Sequence, residues 1–153
     1  MEILLANEAA TEALGARIAG GLVPGDAVLL SGELGAGKSV LARAILRGLG
    51  VTEHVPSPTF TLAQAYETDS LMLQHFDLYR IERARDLDEL GIEEALDQGA
   101  ILVEWPERAP RHFPAQSLSI TLETTSESTR TARIKAPERW RQILTAPQRT
   151  VPK

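Results

Sequence analysis

An α/β fold, with helices on both faces of a mixed, mainly parallel sheet and antiparallel strands toward the C-terminus, is predicted by three features of the chain. Short apolar runs alternate with stretches of helical periodicity, and no repeat, low-complexity tract or Ser/Gly linker interrupts them. Two runs, Ala27-Val28-Leu29-Leu30 and Ala100-Ile101-Leu102-Val103, are continuously apolar, as in strands covered on both faces. The first leads straight into a glycine-rich loop and then a helix, the order of a phosphate-binding unit.

The elements follow in chain order. Met1 to Ala6 predicts a first strand, and Asn7 is placed to cap a helix that carries Glu8 in its first turn and ends at Gly20-Gly21. Pro24-Gly25-Asp26 marks a turn before the strand Ala27 to Leu30. Val40 to Leu49 sets Leu41, Ala44, Ile45 and Leu49 on one side of a helix that stops at Gly50. Pro56 and Pro58 hold an extended loop, and Thr59 to Tyr66 and Leu71 to Phe76 read as a hairpin turning near Asp69-Ser70. Asp86 to Leu96 has helical spacing, broken or capped at Gly91, and Ala100 to Val103 is a buried strand ending at Glu104. Leu118 to Leu122 and Thr131 to Ala136 are expected to pair antiparallel, with a short helix from Pro137. Residues 1–144 thus make one domain, and Thr145 to Lys153 a flexible tail.

Composition narrows the function classes. A chain of 153 residues that is 43% hydrophobic supports one core without staples. The absence of cysteine removes disulfides, thiolate zinc sites and cysteine nucleophiles. With no run near the roughly 18 apolar residues of a membrane span and no signal-peptide pattern at Met1 to Asn7, a soluble cytoplasmic protein without membrane contact is expected. The net charge of -5 disfavours autonomous binding to nucleic acid. Acids concentrate between Glu82 and Glu107 and bases between Arg130 and Lys153, which reads equally as two solvated faces or as a docking surface.

The chemistry lies in Gly32-Glu33-Leu34-Gly35-Ala36-Gly37-Lys38-Ser39, a match to the P-loop pattern. Glycines let the backbone from Leu34, Gly35, Ala36 and Gly37 into Lys38, Ser39 and Val40 wrap so that successive N–H groups and the next helix's dipole cradle phosphates. Lys38 adds charge for the β- and γ-phosphates, and the Ser39 hydroxyl is suited to magnesium. Such a loop needs acids at strand ends to orient metal and nucleophile. Asp77, after Leu71 to Phe76, and Glu104, after Ala100 to Val103, occupy those positions. His75 reads either as a base or as an ordinary half-buried strand histidine, and Trp105 as a nucleotide neighbour or a core anchor. None of the three lysines follows Asn or Thr, so a Ras-type guanine motif is absent.

Three further blocks, Ser57-Pro58-Thr59-Phe60-Thr61-Leu62, His75-Phe76-Asp77-Leu78-Tyr79-Arg80 and Val103-Glu104-Trp105-Pro106, accompany the loop. With them the chain resembles the TsaE family of small P-loop ATPases of bacterial tRNA threonylcarbamoyladenosine biosynthesis, over roughly residues 7–130. It departs from the family's pattern at Glu33, where Asp is common, and at Ser39, where Thr is common. Residue 33 contributes mainly backbone, and serine offers the same hydroxyl oxygen, so phosphate and metal binding are expected to persist.

The resemblance implies a P-loop NTPase-type three-layer α/β/α domain with ATP or ADP and magnesium as ligands. It assigns Lys38 to the terminal phosphates, Ser39 and Glu104 to magnesium, and Asp77 to hydrolysis, at or near the metal shell. Thr59 would sit in a switch-like loop sensing the γ-phosphate, with Glu8, Thr11 and Arg130 near the nucleotide's outer parts. Tyr79-Arg80 would shape the Asp77 loop or meet a partner. The implied activity is slow ATP hydrolysis serving two sugar-kinase-like subunits, TsaB and TsaD, which transfer threonylcarbamoyl to adenosine 37 of tRNA. The tRNA is then reached only through that complex. Two other readings stay open on the residues: a free-standing small-molecule kinase, and a nucleotide-binding module without useful turnover.

Overall fold

The computed structural model describes residues 1–33, 35–52, 63–82, 90–109 and 111–146. Its elements run β1 (Glu2–Leu5), α1 (Glu8–Gly21), β2 (Ala27–Gly32), α2 (Lys38–Gly48), β3 (Ala63–Glu67), β4 (Met72–Asp77), α3 (Ile92–Gln98), β5 (Gly99–Glu104), a 3-10 turn (Pro106–Arg108), β6 (Leu118–Thr124), β7 (Arg130–Lys135) and α4 (Glu138–Thr145). The expected order of strands and helices therefore stands, and the differences lie at boundaries. α2 opens at Lys38, because the lysine of the glycine loop already belongs to the first turn. Gly91, at φ +71°, caps the N-terminus of α3, which continues to Gln98. Pro137 is the residue before α4, which includes Thr145. Pro56, Pro58, Thr59 and the segment from Asp86 to Glu89 lie outside the described residues, as does the tail from residue 147.

Local chemistry accounts for several of these ends. The Asn7 carboxamide oxygen accepts the Ala10 N–H at 2.9 Å and caps α1. The β3–β4 hairpin closes where the Thr68 N–H donates to the Leu71 carbonyl at 3.1 Å and the Thr68 hydroxyl to the same oxygen at 2.6 Å.

The strands form one sheet in the order β1-β7-β6-β2-β5-β4-β3. Its centre is parallel, β2 pairing with both β5 and β6, and β5 with β4. Antiparallel strands extend it at each side, β3 on β4, β7 on β6 and β1 on β7. The parallel register sets Leu30 opposite Glu104 and Asp77 opposite Glu104. Three strand ends thus finish together at one edge of the sheet, where ligands bind in open α/β folds.

Two cores flank the sheet. Leu14 and Ile18 of α1, Leu41 and Ile45 of α2 and Trp140 of α4 pack with Leu30, Leu73, Leu102 and Ile120 on one face. Ile92 and Ala95 of α3 pack with Phe76, Ile101 and Val103 on the other. Along β6 and β7, buried Leu118, Ile120, Leu122, Ala132 and Ile134 alternate with polar Thr121, Glu123, Arg133 and Lys135, so this part of the sheet has one wet face. Among the described residues no helix is long and apolar enough to cross a membrane.

α1 and α2 approach through small residues. A Cβ added at Gly15 would meet the Ala44 side chain and come within 2.9 Å of the Ala44 carbonyl carbon, and one at Gly48 would lie 2.7 Å from the Ala19 Cβ. Gly15→Ala is accordingly expected to cost about 1–3 kcal/mol through overpacking, although alanine is the better helix former. Urea denaturation of the two proteins measures it, and a gain in stability would show that the helices part freely.

Candidate active site

Beyond the carboxyl ends of β2, β5 and β4 lies a cleft of about 370 Å³, lined by Glu33, Gly35, Gly37, Lys38, Ser39, Val40, Asp77, Tyr79, Arg80, Glu104 and Trp105. Its floor is the glycine loop. Gly32, Gly35 and Gly37 have φ of +140°, +83° and +100°, conformations that L side chains rarely adopt, and this is what turns the chain between β2 and α2. Gly37 begins α2 with no side-chain cap and no acid follows in the first turn, so the helix's N-terminal partial charge is left for an anion.

The buried Lys38 side chain donates to the Gly32 carbonyl and, at 3.3 Å, to the Glu33 carbonyl. Its ammonium also sits 3.8 Å from the centre of the Trp105 ring. Burial lowers the Lys38 pKa from its ordinary 10.5, and the negative charges of Glu104, Glu107 and Asp77 oppose that shift. Trp105 reaches the ammonium because it takes a left-handed conformation, φ +61°, directly after β5, the one positive φ among the described non-glycine residues. Its N–H donates to the Leu30 carbonyl at 3.2 Å, so the turn is tied across the strand ends. Tyr79 packs on it with ring centres 4.9 Å apart.

Asp77 and Glu104 are both buried, at 6% and 3% exposure, an arrangement far from that of solvated surface acids. The Asp77 Oδ1 accepts the Tyr79 N–H at 3.0 Å, which shapes the turn after β4. Glu104 Oε2 lies 2.8 Å from His75 Nε2, with both side chains 3% exposed. His75 is therefore not half-buried, as the sequence suggests, but fully enclosed, because β4 is covered by β3, β5 and the core.

A second hollow of about 310 Å³ adjoins the loop at Gly37 and Val40 and is lined by Asn7, Glu8, Thr11, Glu127, Ser128 and Arg130. The Arg130 guanidinium donates to the Ser126 and Thr129 carbonyls at 3.2 and 3.0 Å and reaches the Gly35 carbonyl at 3.4 Å, bridging the β6–β7 turn to the glycine loop.

Of the residues singled out in the sequence, Gly35, Gly37, Lys38, Ser39, Val40, Asp77 and Glu104 line one cleft, and Glu8, Thr11 and Arg130 the hollow beside it. Ala36 is buried under the loop. Leu34 and Thr59 lie outside the described residues. Sequence reasoning passed over Glu127 and Ser128, which nothing but their closeness to Arg130 marks, and the pairing of His75 with Glu104.

The oxygen donors Ser39, Asp77 and Glu104 are of the hard kind that magnesium takes. Among the described residues no three His, Cys, Asp or Glu side chains form a metal cage.

Comparison with known proteins bears on this geometry. A family model for the threonylcarbamoyl adenosine biosynthesis protein TsaE matches residues 5–132. The tRNA threonylcarbamoyladenosine biosynthesis protein TsaE of Rickettsia felis is 39% identical over 129 residues, 84% of this chain and 75% of that protein. Its counterpart from Bacillus subtilis is 36% identical over 125 residues, 81% of this chain and 78% of that protein. The crystal structure of Bacillus subtilis YdiB matches with a TM-score of 0.78 at 29% identity, covering 94% of this chain and 90% of that one. On the family match over most of its length and the shared fold, the chain belongs to the TsaE family of tRNA threonylcarbamoyladenosine biosynthesis proteins and has its P-loop nucleotide-binding fold.

Proposed function

We propose that this protein binds ATP with magnesium in the cleft and hydrolyses it slowly, in the cytoplasm, as the nucleotide-driven subunit that acts on TsaB and TsaD in threonylcarbamoyladenosine synthesis. The observation that carries the reading is the convergence of Lys38, Ser39, Asp77 and Glu104 on one cleft beyond the sheet's parallel strands. Loop N–H groups and the Lys38 ammonium bind the phosphates, and the ammonium exchanges its backbone carbonyl partners for phosphate oxygens. Ser39 and Glu104 hold magnesium, which when bound neutralises phosphate charge. Asp77 orients the attacking water and accepts its proton. Glu8, Thr11 and Arg130 bind the outer part of the nucleotide in the adjoining hollow. Thr59 senses the γ-phosphate from its loop, so that ATP and ADP present different surfaces to the partner subunits. The acidic net charge suits contact with protein subunits better than with free tRNA.

The test is magnesium-dependent ATP hydrolysis by the purified protein, alone and with the two sugar-kinase-like subunits. Weak hydrolysis that rises with the partners is expected. Phosphate passing to a metabolite instead of water would favour the small-molecule kinase, and equal partner affinity with ATP analogue, with ADP and without nucleotide would remove the switching role.

A further inference from the structure

We propose that His75 is a positioning residue that fixes the Glu104 carboxylate for magnesium, an inference that rests on the reading of Glu104 as a metal-holding acid. His75 does not line the cleft, so it is no base for substrate. It lies two residues before Asp77 on β4, and its register partner Leu102 lies two residues before Glu104 on β5. The imidazole therefore stands one step below the two acids, between the core and the cleft.

An ionised carboxylate only accepts hydrogen bonds, so the 2.8 Å contact is His75 Nε2–H donating to Glu104 Oε2. The other ring nitrogen, Nδ1, is buried without a partner among the described residues. An apolar side chain at position 75 would avoid that uncompensated burial. What the imidazole supplies in return is an anchor for one oxygen of Glu104, while the same carboxyl group still lines the cleft. The anchor matters because Asp77 stands in register beside Glu104 and repels it. A carboxylate held by a donor behind it is already oriented when the metal arrives, as outer partners of metal ligands generally ensure.

The experiment titrates manganese, a paramagnetic substitute for magnesium, onto the ADP-saturated full chain and reads bound and free ion by electron paramagnetic resonance. ADP affinity in chelator is measured alongside. His75→Leu is expected to weaken manganese binding on the order of 10-fold or more, with ADP affinity in chelator unchanged. His75→Gln, whose amide reaches about as far as Nε2, restores most of the loss. His75→Asn, whose amide reaches only the level of Nδ1, does not, and this pair decides the matter should the leucine variant not fold. Equal losses for Gln and Asn, or manganese affinity unchanged in both Leu and Asn variants, would overturn the anchoring role. Glu104→Gln separates the two layers: if it weakens manganese binding while His75→Leu and His75→Asn do not, only the His75 inference falls. If Glu104→Gln leaves manganese binding intact, the metal-holding reading of Glu104 fails and the His75 inference with it.

Discussion

Lys38→Ala is expected to weaken ATP and ADP binding about 10- to 100-fold, measured by calorimetry. A hydrogen bond to a charged group is worth about 1.5–3 kcal/mol, and each 1.4 kcal/mol is tenfold in affinity. Among the described residues lining the cleft, Lys38 is the one buried cation. Arg80 also lines the cleft but is exposed, whereas Lys38 is enclosed by the loop, Glu104 and Trp105.

The same lysine is a liability in the free protein, and this gives a second, independent readout. Folding lowers its pKa from 10.5, chiefly through burial, so between the folded and ordinary values the unfolded chain holds more protons. The ammonium therefore opposes folding below its folded pKa, and the penalty fades as pH rises to 10.5. Lys38→Met, which keeps the length and removes the charge, is expected to be more stable than the parent at pH 7, the difference narrowing toward alkaline pH. Weaker nucleotide binding together with higher stability would mark a residue retained for its ligand. Loss of both would mean that the ammonium's bonds to Gly32 and Glu33 hold the loop together.

Asp77→Asn is expected to lower ATP hydrolysis by about 10²- to 10⁴-fold, the usual range for removing a general base, with ADP affinity little changed. The substitution suits the question because the asparagine oxygen can still accept the Tyr79 N–H, keeping the turn after β4 while removing the basic oxygen. The carboxylate is buried opposite Glu104, close enough to Lys38 for its charge to be felt there. Single-turnover hydrolysis with the partner subunits present is the measurement. A rate within threefold of the parent would make Asp77 a turn-forming acid only.

Legibility followed the range of the interactions. The unit of β2, glycine loop and α2 is written in consecutive residues, since positive φ at Gly35 and Gly37 and the apolar spacing of Leu41 and Ile45 are local requirements. The Asn7 cap is equally local. β1 lies beside β7, Glu2 opposite Arg133, and no local pattern announces a pairing that spans nearly the whole chain. Within the site, Asp77 and Glu104 are foreseeable as strand-end acids. The partner of Glu104 is not, because His75 meets it only through the β4–β5 register. Trp105 serves both readings, since its left-handed turn sets the ring over Lys38 while it also packs against the core around Phe76 and Val103.

By itself the sequence determined the layered α/β class, the phosphate-binding loop and the two acids, each of which follows from residue spacing within a single strand, loop or helix. Tertiary structure alone decided that Glu8, Thr11 and Arg130 share a hollow beside Gly37, that His75 stands behind Glu104, and that Lys38 lies under Trp105. Those contacts depend on strand register and crossover packing, and they join residues far apart in the chain whose proximity no periodicity encodes.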